Sequence, residues 1–261
     1  MAYSTRYIFG FAAIVCLVCS VFVASSAVGL KERQDENKLL DRRSKVLSVA
    51  GIGADVTLKR AEINALYDAH VTPKLVDLKT GAYVEADAKT VGAFDQRKAQ
   101  KDPKTSIEAP KNGAGIRRLP SQAVVYLVDT DTDKSTDLIV LPVEGKGLWS
   151  TLYGFVALRP DLNSLAGLTF YQHGETPGLG GEVDNPTWKA KWPGRKLYDA
   201  SGKAVIDVIK GTAGPAASAP HKVDGLSGAT ITGRGVGKLV RFWAGDNGFG
   251  PYLKMLSKEG L

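Results

Sequence analysis

The longest hydrophobic run of the chain lies near its N-terminus. Residues 7–30 contain no charged side chain over 24 positions, and Arg6 and Lys31 flank them. About 20 apolar residues suffice for a helix to cross the hydrocarbon core of a bilayer. A cleaved signal peptide is the alternative, because Ser25, Ser26 and Ala27 are the small residues that a signal peptidase accepts. The run exceeds the apolar part of a signal peptide, which favours a retained transmembrane helix over 7–30.

Two amphipathic helices are predicted after this anchor. Residues 31–49 place scattered apolar side chains among many charges, which is typical of a short helix that ends before Gly51. Residues 61–70 carry Ile63, Leu66 and Tyr67 on one face and stop before a proline. The chain therefore continues as helix before any strand begins.

Short apolar runs in the middle of the chain predict a sheet. Residues 123–128 and 138–143 are rich in β-branched side chains and are joined by a polar turn, as in a hairpin. Two further runs, 152–158 and 165–171, are separated by turn-forming residues, and 204–209 has the same character. With helices before and after it, this sheet indicates the α+β class.

One polar region precedes the predicted strands, and a pair of tryptophans lies further along the chain. Residues 96–120 hold several prolines, glycines and charges, which predicts an exposed insertion or linker. Trp188 and Trp192, four residues apart, are expected to enter a core from one face of a short helix.

The last clear periodicity follows a hydroxyl-rich loop. Val236, Leu239, Val240 and Trp243 recur at helical spacing, and the loop DGLSGATITGRG directly precedes them. A helix N-terminus with glycines before it can bind a phosphate, because its backbone N–H groups are unpaired. A plain turn with a helix cap explains the same residues, and Thr232 is placed as that cap. The residues alone leave both interpretations open.

Composition narrows the classes of function. The net charge is +7, but the 34 basic residues are scattered among 27 acids with no basic, aromatic-interleaved stripe, so a nucleic-acid partner is not expected. Both cysteines, Cys16 and Cys19, lie in the anchor, so the remainder needs no disulfide. No dinucleotide fingerprint follows a strand, which disfavours an autonomous NADH-oxidising enzyme.

One acidic segment resembles the start of a calcium loop. Asp129, Asp131 and Asp133 have the spacing of the first ligands. The glycine required at the sixth position is Lys134, and the acid required at the twelfth is Val140. The sequence therefore predicts no metal site here.

The hydroxyl-rich loop also resembles a known modification motif. Ser227 to Thr230, preceded by Asp224, is similar to the flavinylation motif of the FMN-binding domain family. The resemblance implies that Thr230 carries FMN through a phosphoester, installed by a flavin transferase that uses FAD as the donor. No residue is expected to act as a catalyst.

Longer segments extend this resemblance over most of the chain. Residues 145–158, 173–188 and 223–236, together with the single anchor, resemble the C subunits of bacterial Na⁺-translocating NADH:quinone reductases. This implies an electron-relay subunit of a multisubunit inner-membrane complex, with its large domain in the periplasm and no activity when alone. The alternatives are the G subunit of the related Rnf electron-transport complex and a membrane-anchored extracytoplasmic binding or scaffold protein.

The resemblance also implies a set of site residues and a division into domains. Besides Thr230, the residues expected at the flavin are Ser227, Gly228, Ala229, Trp149, Ser150, Thr151, Glu175, Thr176 and Leu179. The predicted divisions are an anchor at 1–30, a helical segment with the insertion at 31–120, and an FMN-binding domain at 121–261. The other subunits, the flavin transferase and the lipid bilayer are the expected partners.

Overall fold

A computed structural model describes residues 4–53 and 56–260. The chain divides into two compact units, one up to Arg42 and one from Arg43 onwards. The α-helices are Thr5–Val49 (α1), Arg60–His70 (α2), Ala88–Ala93 (α3), Gln96–Lys101 (α4), Pro186–Lys189 (α5), Thr230–Ala244 (α6) and Gly250–Glu259 (α7). A short 3₁₀-helix covers Gly180–Asp184.

The strands form three sheets. Their bounds are Val71–Asp77 (β1), Tyr83–Val84 (β2), Ser106–Glu108 (β3), Arg118–Pro120 (β4), Gln122–Val128 (β5), Leu138–Lys146 (β6), Thr151–Leu158 (β7), Leu165–Gln172 (β8), Asp207–Val208 (β9) and Lys222–Val223 (β10). The main sheet has six strands in the order β2-β1-β5-β6-β7-β8, and every pair in it is antiparallel. Strands β9 and β10 form a parallel pair, and β3 and β4 an antiparallel pair. The predicted α+β class is confirmed.

Helix α1 contains the candidate membrane span. It is apolar enough to cross a bilayer over an 18-residue window near the N-terminus, and none of that window is buried within the protein. At 1.5 Å per residue, the 24 uncharged residues of the anchor are about 36 Å long, enough for the hydrocarbon core. The amphipathic helix expected over 31–49 is the continuation of α1 rather than a separate element.

The core of the second unit lies between one face of the main sheet and the C-terminal helices. Apolar side chains from β6, β7 and β8 pack there with Trp243 and Leu239 of α6 and Tyr252 of α7. Trp188 and Trp192 are buried in the same core, as the sequence predicted, with ring centroids 5.6 Å apart in an edge-on arrangement. They do not share one helix, because α5 ends at Lys189. The hairpin and the strands expected from the apolar runs are present, although β9 is only two residues long.

The segment 96–120 is only partly the exposed insertion that the sequence predicts, because it forms α4, β3 and β4 and buries several side chains. Within it, Ala114 and Leu119 are 1% and 5% exposed and belong to the main core. Asn112 explains how a polar segment does this, because its side chain accepts hydrogen bonds from the N–H groups of Ala114 and Ile116 and donates to the Ile116 carbonyl. The Ala114 carbonyl then accepts the N–H of Lys146 at the end of β6. Local side-chain bonding thus folds the segment onto the sheet.

Candidate functional site

The loop before α6 is held in place by Asp224. Its carboxylate accepts hydrogen bonds from Lys191 Nζ and from the Ala213 N–H, both at 2.7 Å. Its backbone carbonyl accepts the indole N–H of buried Trp188 at 2.9 Å. Burial opposes ionisation of this carboxyl, but the bonds from Lys191 and Ala213 prevail and lower its pKa. The start of the loop is therefore fixed to α5 and to the turn before β10.

Gly228 gives the loop its turn. Its φ of 68° lies in the left-handed region that residues with a Cβ rarely adopt. An added Cβ would lie 2.9 Å from Cδ2 of Leu179, so this glycine also lets the loop approach the segment after β8. The next residue, Ala229, is buried and is the N-cap of α6.

Thr230 is the first residue of α6. Its side chain is half-buried, and its hydroxyl makes no hydrogen bond to any other residue that the structure describes. The N–H groups of a first helical turn have no partner within the helix, and they carry a partial positive charge. An unpaired hydroxyl thus lies where a phosphate would meet that charge.

Thr232 does not have the role that the sequence predicts. The expected cap outside the helix is wrong, because α6 begins two residues earlier, at Thr230. Thr232 is fully buried, and its hydroxyl donates to Oε2 of Glu175 at 2.7 Å. Threonine and glycine carry little helical signal, so the sequence does not show that the first turn starts at Thr230.

Glu175 connects α6 to the loop between β6 and β7. Its Oε1 accepts the N–H groups of Trp149 and Ser150, both at 3.0 Å, and the Ser150 hydroxyl at 3.2 Å. Its Oε2 accepts the Leu148 N–H at 3.1 Å in addition to Thr232. Burial favours the neutral acid, but these bonds outweigh it and lower the pKa, so the carboxylate is ionised at neutral pH. A role as a solvated turn residue is excluded, since the residue is 5% exposed.

Exposed apolar side chains lie next to Thr230 in α6 and in the segments that Glu175 and Gly228 connect to it. Trp149 is 70% exposed and Ile231 is 59% exposed, and Leu148 and Leu179 are exposed as well. In the described part of the second unit, seven large hydrophobic side chains are exposed, and these are four of them. The other three are Val56, Tyr83 and Ile107. Grouped exposed apolar side chains mark ligand or partner sites. The sequence predicted Trp149 and Leu179, but it missed Leu148 and Ile231, which are isolated apolar residues next to the motifs.

The structure brings the sequence-predicted site residues together. Glu175 joins the loop of Trp149 and Ser150 to α6, and Leu179 contacts the turn at Gly228. Thr151 begins β7 directly after that loop, while Ser227 and Thr176 are exposed around it. The arrangement offers a hydroxyl, a helix N-terminus and an apolar surface in one place, which fits a phosphate-bearing aromatic cofactor such as FMN.

The carboxylates that cluster in the turn between β5 and β6 are not the same three that the sequence spacing suggested. Asp129, Asp131 and Asp137, rather than Asp133, place carboxylate oxygens within 4.8 Å of one another. Their oxygens accept hydrogen bonds from N–H groups of the same turn, including those of Thr132 to Asp129 and Thr130 to Asp137. These bonds explain the cluster as part of the turn.

The comparisons with known proteins agree with this geometry. The family model described as the FMN-binding domain matches residues 147–245, so the fold and the site define an FMN-binding domain. The chain is 51% identical over 250 residues to the C subunit of the Na⁺-translocating NADH-quinone reductase of Pseudomonas aeruginosa, covering 95% of this chain and 94% of that protein. The chain belongs to this family of C subunits, as the sequence resemblance predicted.

Other relatives support the same family. The C subunit of Vibrio parahaemolyticus is 47% identical over 249 residues, covering 94% of this chain and 92% of that protein. The crystal structure of Shewanella oneidensis NqrC matches with a TM-score of 0.78 at 37% identity, covering 85% of this chain and 99% of that one. The C subunit of Parabacteroides distasonis matches with a TM-score of 0.63 at 26% identity, covering 86% of this chain and 96% of that one. The Rnf and scaffold alternatives are set aside in favour of this family.

Proposed function

We propose that this chain is the electron-relay subunit of a Na⁺-translocating NADH:quinone reductase and that it carries FMN as a phosphoester on Thr230. The observation that carries the proposal is the unpaired Thr230 hydroxyl at the first position of a 15-residue helix, beside an exposed apolar surface. FMN, when bound, supplies the isoalloxazine ring that accepts and passes on electrons. The chain supplies the attachment, the environment of the ring and the membrane anchor.

Several residues would hold the cofactor. The N–H groups of the first turn of α6 stabilise the phosphate charge. Ser227, Gly228 and Ala229 form the turn that presents the hydroxyl, and Thr176 lies exposed after β8. Trp149, Leu179 and Ile231 would provide apolar surface for the ring, and Ser150 and Thr151 follow Trp149 directly in the chain. Burying these exposed side chains against the ring favours binding, at about 25 cal/mol per Å² of apolar surface removed from water.

The attachment is a phosphoryl transfer that a flavin transferase performs with FAD as the donor. The Thr230 oxygen forms a bond to the phosphorus of the FMN moiety, the bond from that phosphorus to the bridging oxygen of the diphosphate breaks, and AMP leaves. The hydroxyl proton is lost in the same exchange. No oxidation or reduction accompanies the step.

The Thr230→Ala substitution tests the proposal. We expect the variant to remain folded and membrane-bound but to contain no covalent flavin, whereas Thr212→Ala, which removes an exposed hydroxyl from the segment after β9, retains it. In-gel flavin fluorescence and peptide mass mapping measure both results. Covalent flavin in Thr230→Ala at the level of the unsubstituted chain refutes the assignment.

The orientation in the membrane is part of the proposal. Six basic residues follow the anchor within 15 positions and only Arg6 precedes it, so the positive-inside rule favours a cytoplasmic domain. Four acids, Glu32, Asp35, Glu36 and Asp41, lie among those bases, and the family resemblance favours the periplasm, where its flavin transferase works. We therefore assign the domain to the periplasmic side of the bacterial inner membrane.

A cysteine added after the last residue tests this orientation, after Cys16 and Cys19 are replaced by alanine. A membrane-impermeant thiol reagent is expected to label it in intact spheroplasts. Labelling only after the spheroplasts are lysed contradicts the periplasmic assignment.

A further inference from the structure

The carboxylate of Glu175 is a buried negative charge without a cationic partner. Among the residues that the structure describes, no lysine or arginine forms an ion pair with it. Its partners are three backbone N–H groups and the hydroxyls of Ser150 and Thr232. Hydrogen bonds of this kind keep a carboxylate ionised, but they leave its full charge in place.

The surroundings of Glu175 are shaped for this carboxylate. A Cβ at Gly147 would lie 2.5 Å from Oε1, and a Cβ at Gly180 would lie 2.8 Å from Oε2. The same Cβ at Gly180 would lie 2.7 Å from the Thr232 hydroxyl. Backbone therefore closes around both oxygens, and the position of the carboxylate is narrowly defined.

The hydrogen bond between Glu175 and Thr232 lies on the side of α6 that is nearly opposite to Thr230. Successive residues of a helix are rotated by about 100°, so two residues apart they point to nearly opposite sides. Thr232 accordingly points into the core at Glu175, while Thr230 is half-buried and Ile231 is exposed. Glu175 thus holds the helix from its buried side, nearly opposite to the side on which Thr230 lies.

The other four bonds fix the loop that carries Trp149. With the N–H groups of residues 148, 149 and 150 directed at the carboxylate, the side chains of Leu148 and Trp149 remain outside. One carboxylate therefore sets the relative position of the attachment helix and of the surface available to the ring. Its negative charge lies 3.1 Å from the backbone nitrogen of Leu148 and 3.0 Å from that of Trp149, the two residues of this loop with exposed apolar side chains.

We propose that Glu175 is a positioning residue of the flavin site, which holds α6 against the loop of residues 147–150 and whose charge lowers the midpoint potential of the flavin. This inference rests on the proposed attachment at Thr230. Reduction adds negative charge to the flavin, and a nearby carboxylate in a poorly solvated site disfavours that addition. The hydrogen bond between Glu175 and Thr232 joins residues 57 positions apart, whereas the attachment motif is one short segment. We therefore expect that a substitution at Glu175 can change the midpoint potential of the flavin without preventing its covalent attachment.

The Glu175→Gln variant of the full chain, produced with the flavin transferase and purified in detergent, tests the charge. We expect covalent flavin to be retained and the midpoint potential to shift to a more positive value, measured by spectroelectrochemical titration. Glu182→Gln is the matched control. Glu182 is a half-buried acid that lies seven residues after Glu175, and its Oε2 accepts a hydrogen bond from the Asn185 side chain. The control is expected to keep the original potential.

The Thr232→Val variant tests the positioning and covers the case in which Glu175→Gln does not fold. It keeps the Glu175 carboxylate and removes its hydrogen bond to α6, so the anisotropy of flavin fluorescence should fall. An unshifted potential in flavin-bearing Glu175→Gln overturns the electrostatic role, and an unchanged anisotropy in Thr232→Val overturns the positioning role. Lack of covalent flavin in the unsubstituted chain refutes the attachment itself, which is a separate result.

Discussion

Ser227, Thr230 and Thr232 carry hydroxyls within six residues of chain, yet their surroundings assign them different roles. Ser227 is exposed, Thr230 is half-buried without a hydrogen-bond partner among the described residues, and Thr232 is fully buried on Glu175. Resemblance to a modification motif was enough to single out Thr230. It did not predict the role of Thr232, because a hydrogen bond to a residue 57 positions away leaves no trace in local spacing.

Gly228 offers a prediction at the same scale. A Gly228→Ala substitution puts alanine at a φ of 68°, which costs about 1–2 kcal/mol of backbone strain. The new Cβ also lies 2.9 Å from Leu179, so the Leu179 side chain must move. Gly178→Ala is the matched control, since Gly178 has φ 75° but nothing within 4 Å of an added Cβ. We expect both to lower the free energy of unfolding and Gly228→Ala to lower it more, as measured by urea denaturation. Equal losses in the two variants contradict the contact with Leu179.

Helix α6 is positioned by glycines that its apolar periodicity did not reveal. An added Cβ at Gly235 would lie 2.4 Å from the carbonyl oxygen of Lys146, and one at Gly237 would lie 2.9 Å from the N–H nitrogen of Val208 in β9. The pattern from Val236 to Trp243 predicted the helix, but glycine and threonine disfavour one in isolation. Close packing on β6 and β9 overrides that preference, which is why the true start of α6 could not be predicted.

The close approach of α6 to β6 predicts different effects for alanine substitutions at two glycines of this helix. Glycine to alanine inside a helix gains up to about 1 kcal/mol from helix propensity. Gly233→Ala meets only a side-chain methyl of Val208 at 3.2 Å and is expected to be near neutral, whereas Gly235→Ala meets backbone and must displace α6. We expect a lower melting temperature for Gly235→Ala alone. A melting temperature equal to that of Gly233→Ala argues against the contact with β6.

Some of the other elements could be predicted from the sequence and others could not. Strands β5 to β8 could be predicted because each buries apolar side chains along most of its length. The segment over 96–120 was misassigned because Asn112 satisfies the backbone there through its own side chain. Local composition therefore predicts burial well where apolar residues cluster. It predicts burial poorly where polar side chains form the hydrogen bonds that the backbone would otherwise make in a sheet.

At the scale of the whole molecule, two ionised carboxylates link folding to pH. The pKa values of Glu175 and Asp224 are lowered in the folded state from their ordinary values of 4.5 and 3.8. Each therefore contributes stability that is fully present above its ordinary pKa and is lost as the pH falls through the lowered, folded value. The loop before α6 and the loop before β7 both depend on these charges, so acid should loosen the site together with the fold.

We expect the free energy of unfolding of the detergent-solubilised chain to be nearly constant from pH 7 to about pH 5 and to fall below that. Glu175→Gln should be less stable at pH 7 and should show a shallower fall, because one of the acids whose pKa is lowered on folding no longer titrates. Urea unfolding at a series of pH values measures both slopes, with Glu182→Gln as the control. A fall in Glu175→Gln as steep as that of the unsubstituted chain is the contrary result.

The bond between Glu175 and Thr232 bears on what happens when the motif is moved to another protein. Residues 224–230 contain the acceptor hydroxyl, but neither partner of that bond lies within them. A transplanted motif would therefore bring a place to tether a flavin without the charge and the apolar surface that define its surroundings here. The flavin of such a chimera would be exposed to solvent, and its redox properties would be close to those of free flavin.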